Sequence, residues 1–172
     1  MYFQKQFVVL VDMGIRGIAK GQMIALYTDG ASSGNPGPGG YGIILRSGKY
    51  YKELSGGYQK TTNNRMELLA VVIGLEAIKK QAQEVTVYSD SKYVVDSVEK
   101  CWVFGWARKG FQGKKNADLW LRFLDVYRKH AVKFVWIKGH ASHPENERCD
   151  ELAVKASKQE VLLVDVGYER GN

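Results

Sequence analysis

The chain has 172 residues, 45% hydrophobic and 25% charged, which suits one domain with a sizeable core. No run approaches the roughly 20 apolar residues of a membrane-spanning helix, so an integral membrane protein is not expected. The net charge of +7 favours a polyanionic partner, nucleic acid first, although a solvated basic surface without a partner has the same composition.

Residues 1–21 read as an N-terminal extension of unknown role. Their apolar run, Phe7 to Val11, is too brief for a secretory signal. Residues 22–172 read as one domain with a C-terminal tail. Met23 to Thr28 has the pattern of a strand, with Asp29 at its end and the loop "GASSGNPGPGG" after it. Tyr41 to Leu45 and Tyr50 to Leu54 follow, joined by a turn around Gly48, which makes an antiparallel meander. The period then changes. In "TTNNRMELLAVVIGLEAIKKQ", Met66, Leu69, Ala70, Ile73 and Ala77 recur at helical spacing, and Thr62, Asn63 and Asn64 are candidate caps.

Val85 to Ser89 is a strand ending at Asp90, and "SKYVVDSVEKCW" a helix opening on a serine cap. "VFGWARKGFQGKKN" is basic and broken by glycine. "ADLWLRFLDVYRKH" is helical, "VKFVWIKGH" a last strand ending near His140, and "PENERCDELAVKASKQ" a helix; "EVLLVDVGYERGN" is the tail. A strand–helix–strand passage implies a parallel crossover. The expected fold is therefore α/β: a mixed five-stranded sheet with an antiparallel meander, flanked by helices. Cys101 and Cys149 show no metal-type or redox-type spacing and read as reduced thiols of a cytoplasmic protein.

Four carboxylates, Asp29, Glu67, Asp90 and Asp150, fall on four elements that could converge at one end of the sheet. Each also has a local reading. Asp29 before Gly30 is a common turn pair, and Glu67 could close a capping box with Asn64. Asp90 could cap the next helix, and Asp150 could be a helix surface residue. Together these local readings weaken, because clustered carboxylates repel unless cations balance them. Hard oxygen ligands of this kind suit Mg²⁺ or Mn²⁺.

"YTDGASSGNPGPGGYG", "TTNNRMELLA", "YSDSKYV" and "VWIKGHASHPENERCDELA", in that order from Met23 to about Lys158, resemble the ribonuclease HI (RNase H) family. The resemblance implies an RNase H-like fold and an endonuclease that hydrolyses the RNA strand of RNA/DNA hybrids by a two-metal-ion mechanism. It implies 5′-phosphate and 3′-hydroxyl products, two Mg²⁺ ions per site with Mn²⁺ as a substitute, and Asp29, Glu67, Asp90 and Asp150 as ligands. It gives His140 a part in proton transfer or product departure, and makes Asn35, Asn63 and Asn64 contacts to the hybrid. The segment carrying Trp102, Trp106, Arg108, Lys109, Lys114 and Lys115 matches the family's basic protrusion, here shorter than in well-known bacterial members. Lys92 departs from the glutamine that several members carry. A monomer is expected. The alternatives are a non-catalytic hybrid-binding module and another nuclease of the same fold; the intact carboxylates argue against the first, and "GNPGPGG" with "HPENERCDE" against the second.

Overall fold

The computed structural model describes residues 22–139 and 143–171. The N-terminal extension and His140 lie outside them. The elements in chain order are β1 (Ile24–Ser32), β2 (Gly37–Ser47), β3 (Tyr50–Thr61), α1 (Asn63–Glu76), β4 (Glu84–Ser89) and α2 (Lys92–Glu99). There follow α3 (Trp102–Arg108), α4 (Ala117–Tyr127), β5 (Ala131–Trp136), α5 (Pro144–Ser157) and α6 (Val166–Glu169).

The strands form one sheet in the order β3-β2-β1-β4-β5. β1, β2 and β3 pair antiparallel, and β4 and β5 join parallel to β1 and to each other. This is the mixed α/β sheet expected. On β1, Ile24, Leu26 and Thr28 alternate inward, and Leu26 packs against Gly74 of α1. α1 is buried from Arg65 to Val72, because it lies between the sheet and α4. α2 and α4 each bury one stripe, Val94, Val95 and Val98 on the first and Leu119, Trp120, Phe123 and Leu124 on the second. α5 covers the opposite face of β1, β2 and β3.

Several boundaries differ from the sequence reading: β3, read as ending at Leu54, runs on to Thr61, and the last strand, read as ending near His140, stops at Trp136. β1 does not end at Asp29 but continues to Ser32, because β2 keeps supplying ladder partners as far as Gly39. Most of the glycine- and proline-rich stretch is therefore strand, and the connecting loop is only Ser33 to Pro36. The basic segment is not merely broken by glycine: α3 forms straight through Gly105, with Val103 anchoring it in the core.

The tail is held firmly. Leu163 exchanges backbone hydrogen bonds with β3, its amide donating to Gly57 and its carbonyl accepting from Gln59 (2.9 and 2.8 Å). Asp165 caps α6 and accepts from Thr61 and from the buried Arg65, whose guanidinium also forks onto Asp118 (2.8 and 2.9 Å). Among the described residues no helix is long and apolar enough to cross a membrane.

Candidate active site

Asp29 lies two residues past Tyr27, the last β1 residue paired with β4, yet it still pairs with Gly42 of β2. Paired residues share a face of the sheet. The carbonyl of Cys149 occupies the space a side chain on Gly42 would need, so α5 crosses this same face closely and brings Asp150 to it.

Glu67 comes from the other side. The cap of α1 is Thr62, whose hydroxyl accepts from the Arg65 amide (3.4 Å), so Glu67 lies beyond the capping positions and closes no capping box. The Glu67 amide nitrogen sits where a Cβ on Gly30 would be, and this close approach of α1 to β1 sets Glu67 beside Asp29. Asp90 follows the last residue of β4. The cap of α2 is Ser91, accepting from Val94 (3.4 Å), so Asp90 does not serve as that cap.

One oxygen from each of Asp29, Glu67 and Asp90 can be chosen so that all three lie within 4.8 Å of one another. Asp29 and Glu67 are 7% and 5% exposed, and Asp90 is half-buried. Burial, then repulsion from Asp90 and Asp150, pushes Asp29 up to about 8, against a single backbone hydrogen bond from Gly30 (2.7 Å). Burial, then Asp29 and Asp90, holds Glu67 well above the usual carboxylate range, although hydrogen bonds from Asn63 and Gly30 oppose this. Among the described residues, Glu67 Oε2 is buried without a hydrogen-bond partner. Three converging hard oxygen donors, one of them orphaned, fit a divalent cation, because an unbalanced cluster of this kind is costly. Asp150 stands beside the trio and acts on Asp29 electrostatically.

Two neighbours of Asp90 escaped the sequence reading. The indole Nε1 of Trp136 donates to the Asp90 carbonyl (3.0 Å), and the Asn146 amide donates to its carboxylate (3.4 Å). Asn146 is 3% exposed and stands one helical turn before Asp150, a spacing that could have flagged it.

The expected substrate residues divide into two groups. Asn35 and Asn64, with Lys115, line a cleft of about 400 Å³, shared with Thr62, Asn116 and Tyr168. Asn35 Oδ1 also accepts from the Asn63 amide (3.2 Å), tying the loop to the start of α1. Thr62 and Asn116 are additions from the structure; in the sequence Thr62 reads only as a candidate helix cap.

The second group lies on α3 and the turn after it. Trp102 is exposed, with Lys100 Nζ 5.0 Å from its ring centre. Trp106 sets its edge against the buried Trp120, with Lys114 Nζ at 4.8 Å, while Arg108 and Lys109 are exposed. Trp106 thus serves the core as well as the surface.

The sequence matches the RNase H family profile over residues 21–158. The Ribonuclease H of Desulforamulus reducens is 54% identical over 148 residues, covering 83% of this chain and 92% of that protein. The crystal structure of LC9-RNase H1, a type 1 RNase H with the type 2 active-site motif, is 32% identical with a TM-score of 0.72 and covers 87% of this chain and 80% of its own. LC11-RNase H1, solved in complex with an RNA/DNA hybrid, is 26% identical with a TM-score of 0.62, covering 77% of this chain and 95% of its own. The chain belongs to the RNase H family of hydrolases.

Proposed function

We propose that this protein is a cytoplasmic, monomeric endonuclease that hydrolyses the RNA strand of RNA/DNA hybrids, leaving 5′-phosphate and 3′-hydroxyl ends. The observation that carries the reading is the convergence of Asp29, Glu67 and Asp90, with oxygens within 4.8 Å of one another and two of the three side chains buried. These residues and Asp150 would hold two divalent ions, Mg²⁺ or Mn²⁺. When bound, such ions neutralise phosphate charge and activate water for in-line attack.

The chain's own groups do the rest. Asp29 and Glu67 resist ionising while unbalanced, so the cluster favours arriving positive charge. His140 has the residue type to pass a proton near neutral pH at the departing 3′-oxygen. The cleft holding Thr62, Lys115 and Asn116 offers a hydroxyl, an amide and a cation to a backbone phosphate of the DNA strand. Asn35, Asn63 and Asn64 present amides that donate to and accept from 2′-hydroxyls. Trp102, Trp106, Arg108, Lys109 and Lys114 would grip the DNA strand by stacking and phosphate contact. The hybrid-bound LC11-RNase H1 supports the choice of substrate.

The test is a hybrid labelled on each strand in turn, incubated with Mg²⁺ or with chelator. Cleavage should fall on the RNA strand alone and stop with chelator and in Asp29→Asn. Cleavage of duplex DNA, or full activity in Asp29→Asn, contradicts the reading. Tight hybrid binding without cleavage would make the protein a binding module instead.

A further inference from the structure

We infer that Trp136 is a positioning residue for Asp90, fixing the turn that aims this carboxylate at Asp29 and Glu67. The inference rests on the acidic cluster being the metal-holding site proposed above.

Trp136 is the last residue of β5 and pairs with Ser89, the last residue of β4. The ladder between these strands stops there, and just past it the indole N–H donates to the Asp90 carbonyl at 3.0 Å. The same ring works on its face. Lys92 Nζ lies 5.1 Å from the ring centre, within the range of a cation–π contact. One side chain thus spans the turn from Asp90 to Lys92, its edge on a carbonyl and its face under an ammonium.

Burial does not account for this arrangement. Trp136 is 44% exposed, so its large ring recovers only part of the hydrophobic gain available to a tryptophan. The backbone beyond it reinforces the clamp. Ile137 donates to the Ser89 carbonyl (3.0 Å), and Gly139 packs so closely on Asp90 that a Cβ there would come within 2.5 Å of Oδ2. From the other direction, the Ser91 amide donates to Ser89 Oγ (3.1 Å). Trp136 at the end of β5 thus holds the Asp90 carbonyl, and Gly139 beyond it lies close against the carboxylate. Without the indole bond the peptide after Asp90 can rotate, and the carboxylate samples directions away from its two partners.

Two replacements at position 136 isolate the N–H. Trp136→Phe keeps an aromatic face for Lys92 but has no donor. Benzothienylalanine at position 136 keeps the full bicyclic shape, with sulfur in place of the N–H. The first readout needs no substrate: the apparent Mg²⁺ Kd fitted to the rise of melting temperature with Mg²⁺ concentration. It should increase about tenfold in both variants, the low end of what outer ligand-orienting groups contribute. The second readout is steady-state cleavage of hybrid. kcat should fall at low Mg²⁺ and recover at high Mg²⁺, while KM for hybrid stays within about twofold of wild type, since the lost bond bears on the ligand rather than on hybrid binding.

A wild-type apparent Mg²⁺ Kd in both variants overturns the inference and leaves Trp136 a packing residue. A kcat loss that added Mg²⁺ does not restore overturns it as well. A wild-type protein with no Mg²⁺ response at all instead defeats the metal reading beneath it, so the two failures are distinguishable.

Discussion

The backbone of Glu67 rests directly on Gly30, with its amide nitrogen in the place of the missing Cβ. Gly30 adjoins Asp29, so one absent side chain brings together two carboxylates that stand far apart in sequence. Gly30→Ala should therefore push α1 off β1. The expected cost is about 2–3 kcal/mol in urea unfolding, as for other overpacked positions. Cleavage should drop by about tenfold or more, because small displacements of catalytic groups are costly. Unchanged stability and activity would mean that α1 relaxes freely.

Asp29 gives the protein a stability that depends on pH. Its native pKa of about 8 lies above the ordinary value of 3.8. Below pH 4 the group is protonated whether folded or unfolded, and it contributes nothing. Between pH 4 and 8 the unfolded chain releases the proton while the native one holds it, so stability falls as pH rises; above 8 the loss is constant. The full shift corresponds to an upper limit of about 6 kcal/mol. Metal-free protein should melt lower at pH 9 than at pH 5.5. Asp29→Asn should flatten the curve and raise the melting temperature at pH 9, and Mg²⁺ should do the same for wild type. Calorimetry across this range is the check.

Asp165 anchors the tail to α1 through the buried Arg65, and Arg65 lies two residues before Glu67. Asp165→Ala removes one carboxylate from an arginine that is 2% exposed. Breaking a buried pair from one side costs about 3–5 kcal/mol. Asp118→Ala should cost less, since Asp118 is 29% exposed and water can replace it. Denaturant unfolding of the two variants should give this order, and the reverse order would contradict the network as drawn.

Lys114 and Lys115 face different tasks. Lys114 lies over Trp106 on the α3 side, and Lys115 lines the cleft beside Thr62 and Asn116. Replacing both with alanine should weaken hybrid binding and reduce the slope of log K against log salt by about 1.5–2, the value for two lost phosphate contacts. Binding titrations at several salt concentrations measure this. An unchanged slope would place both lysines outside the footprint.

Much of the fold is legible in the sequence, but unevenly. The order of strands and helices followed from period changes, because alternation on β1 and helical spacing on α1 are local properties. Asp29 was misplaced at a strand end because only the long partner β2 keeps β1 extended to Ser32. The local readings of Glu67 in a capping box with Asn64 and of Asp90 as a cap fall because Thr62 and Ser91, both cap candidates in the sequence, hold the two caps. The convergence of the carboxylates rested on family resemblance, since spacing cannot report the approach of α1 to Gly30. Trp136 reads in the sequence as the interior of a strand ending near His140, and its bond to Asp90 crosses 46 residues of sequence, beyond any local pattern.

The central claim is that Asp29, Glu67, Asp90 and Asp150 together hold the ions at which the RNA strand is cut. Anomalous diffraction from Mn²⁺-soaked crystals of the wild-type protein, bound to an RNA/DNA hybrid whose RNA strand carries a non-cleavable linkage, tests it most directly. The account predicts two anomalous peaks about 4 Å apart beside Asp29, with the RNA phosphate on the same ions. Absence of manganese from the cluster at millimolar concentration, or peaks beside the DNA strand instead, would contradict it.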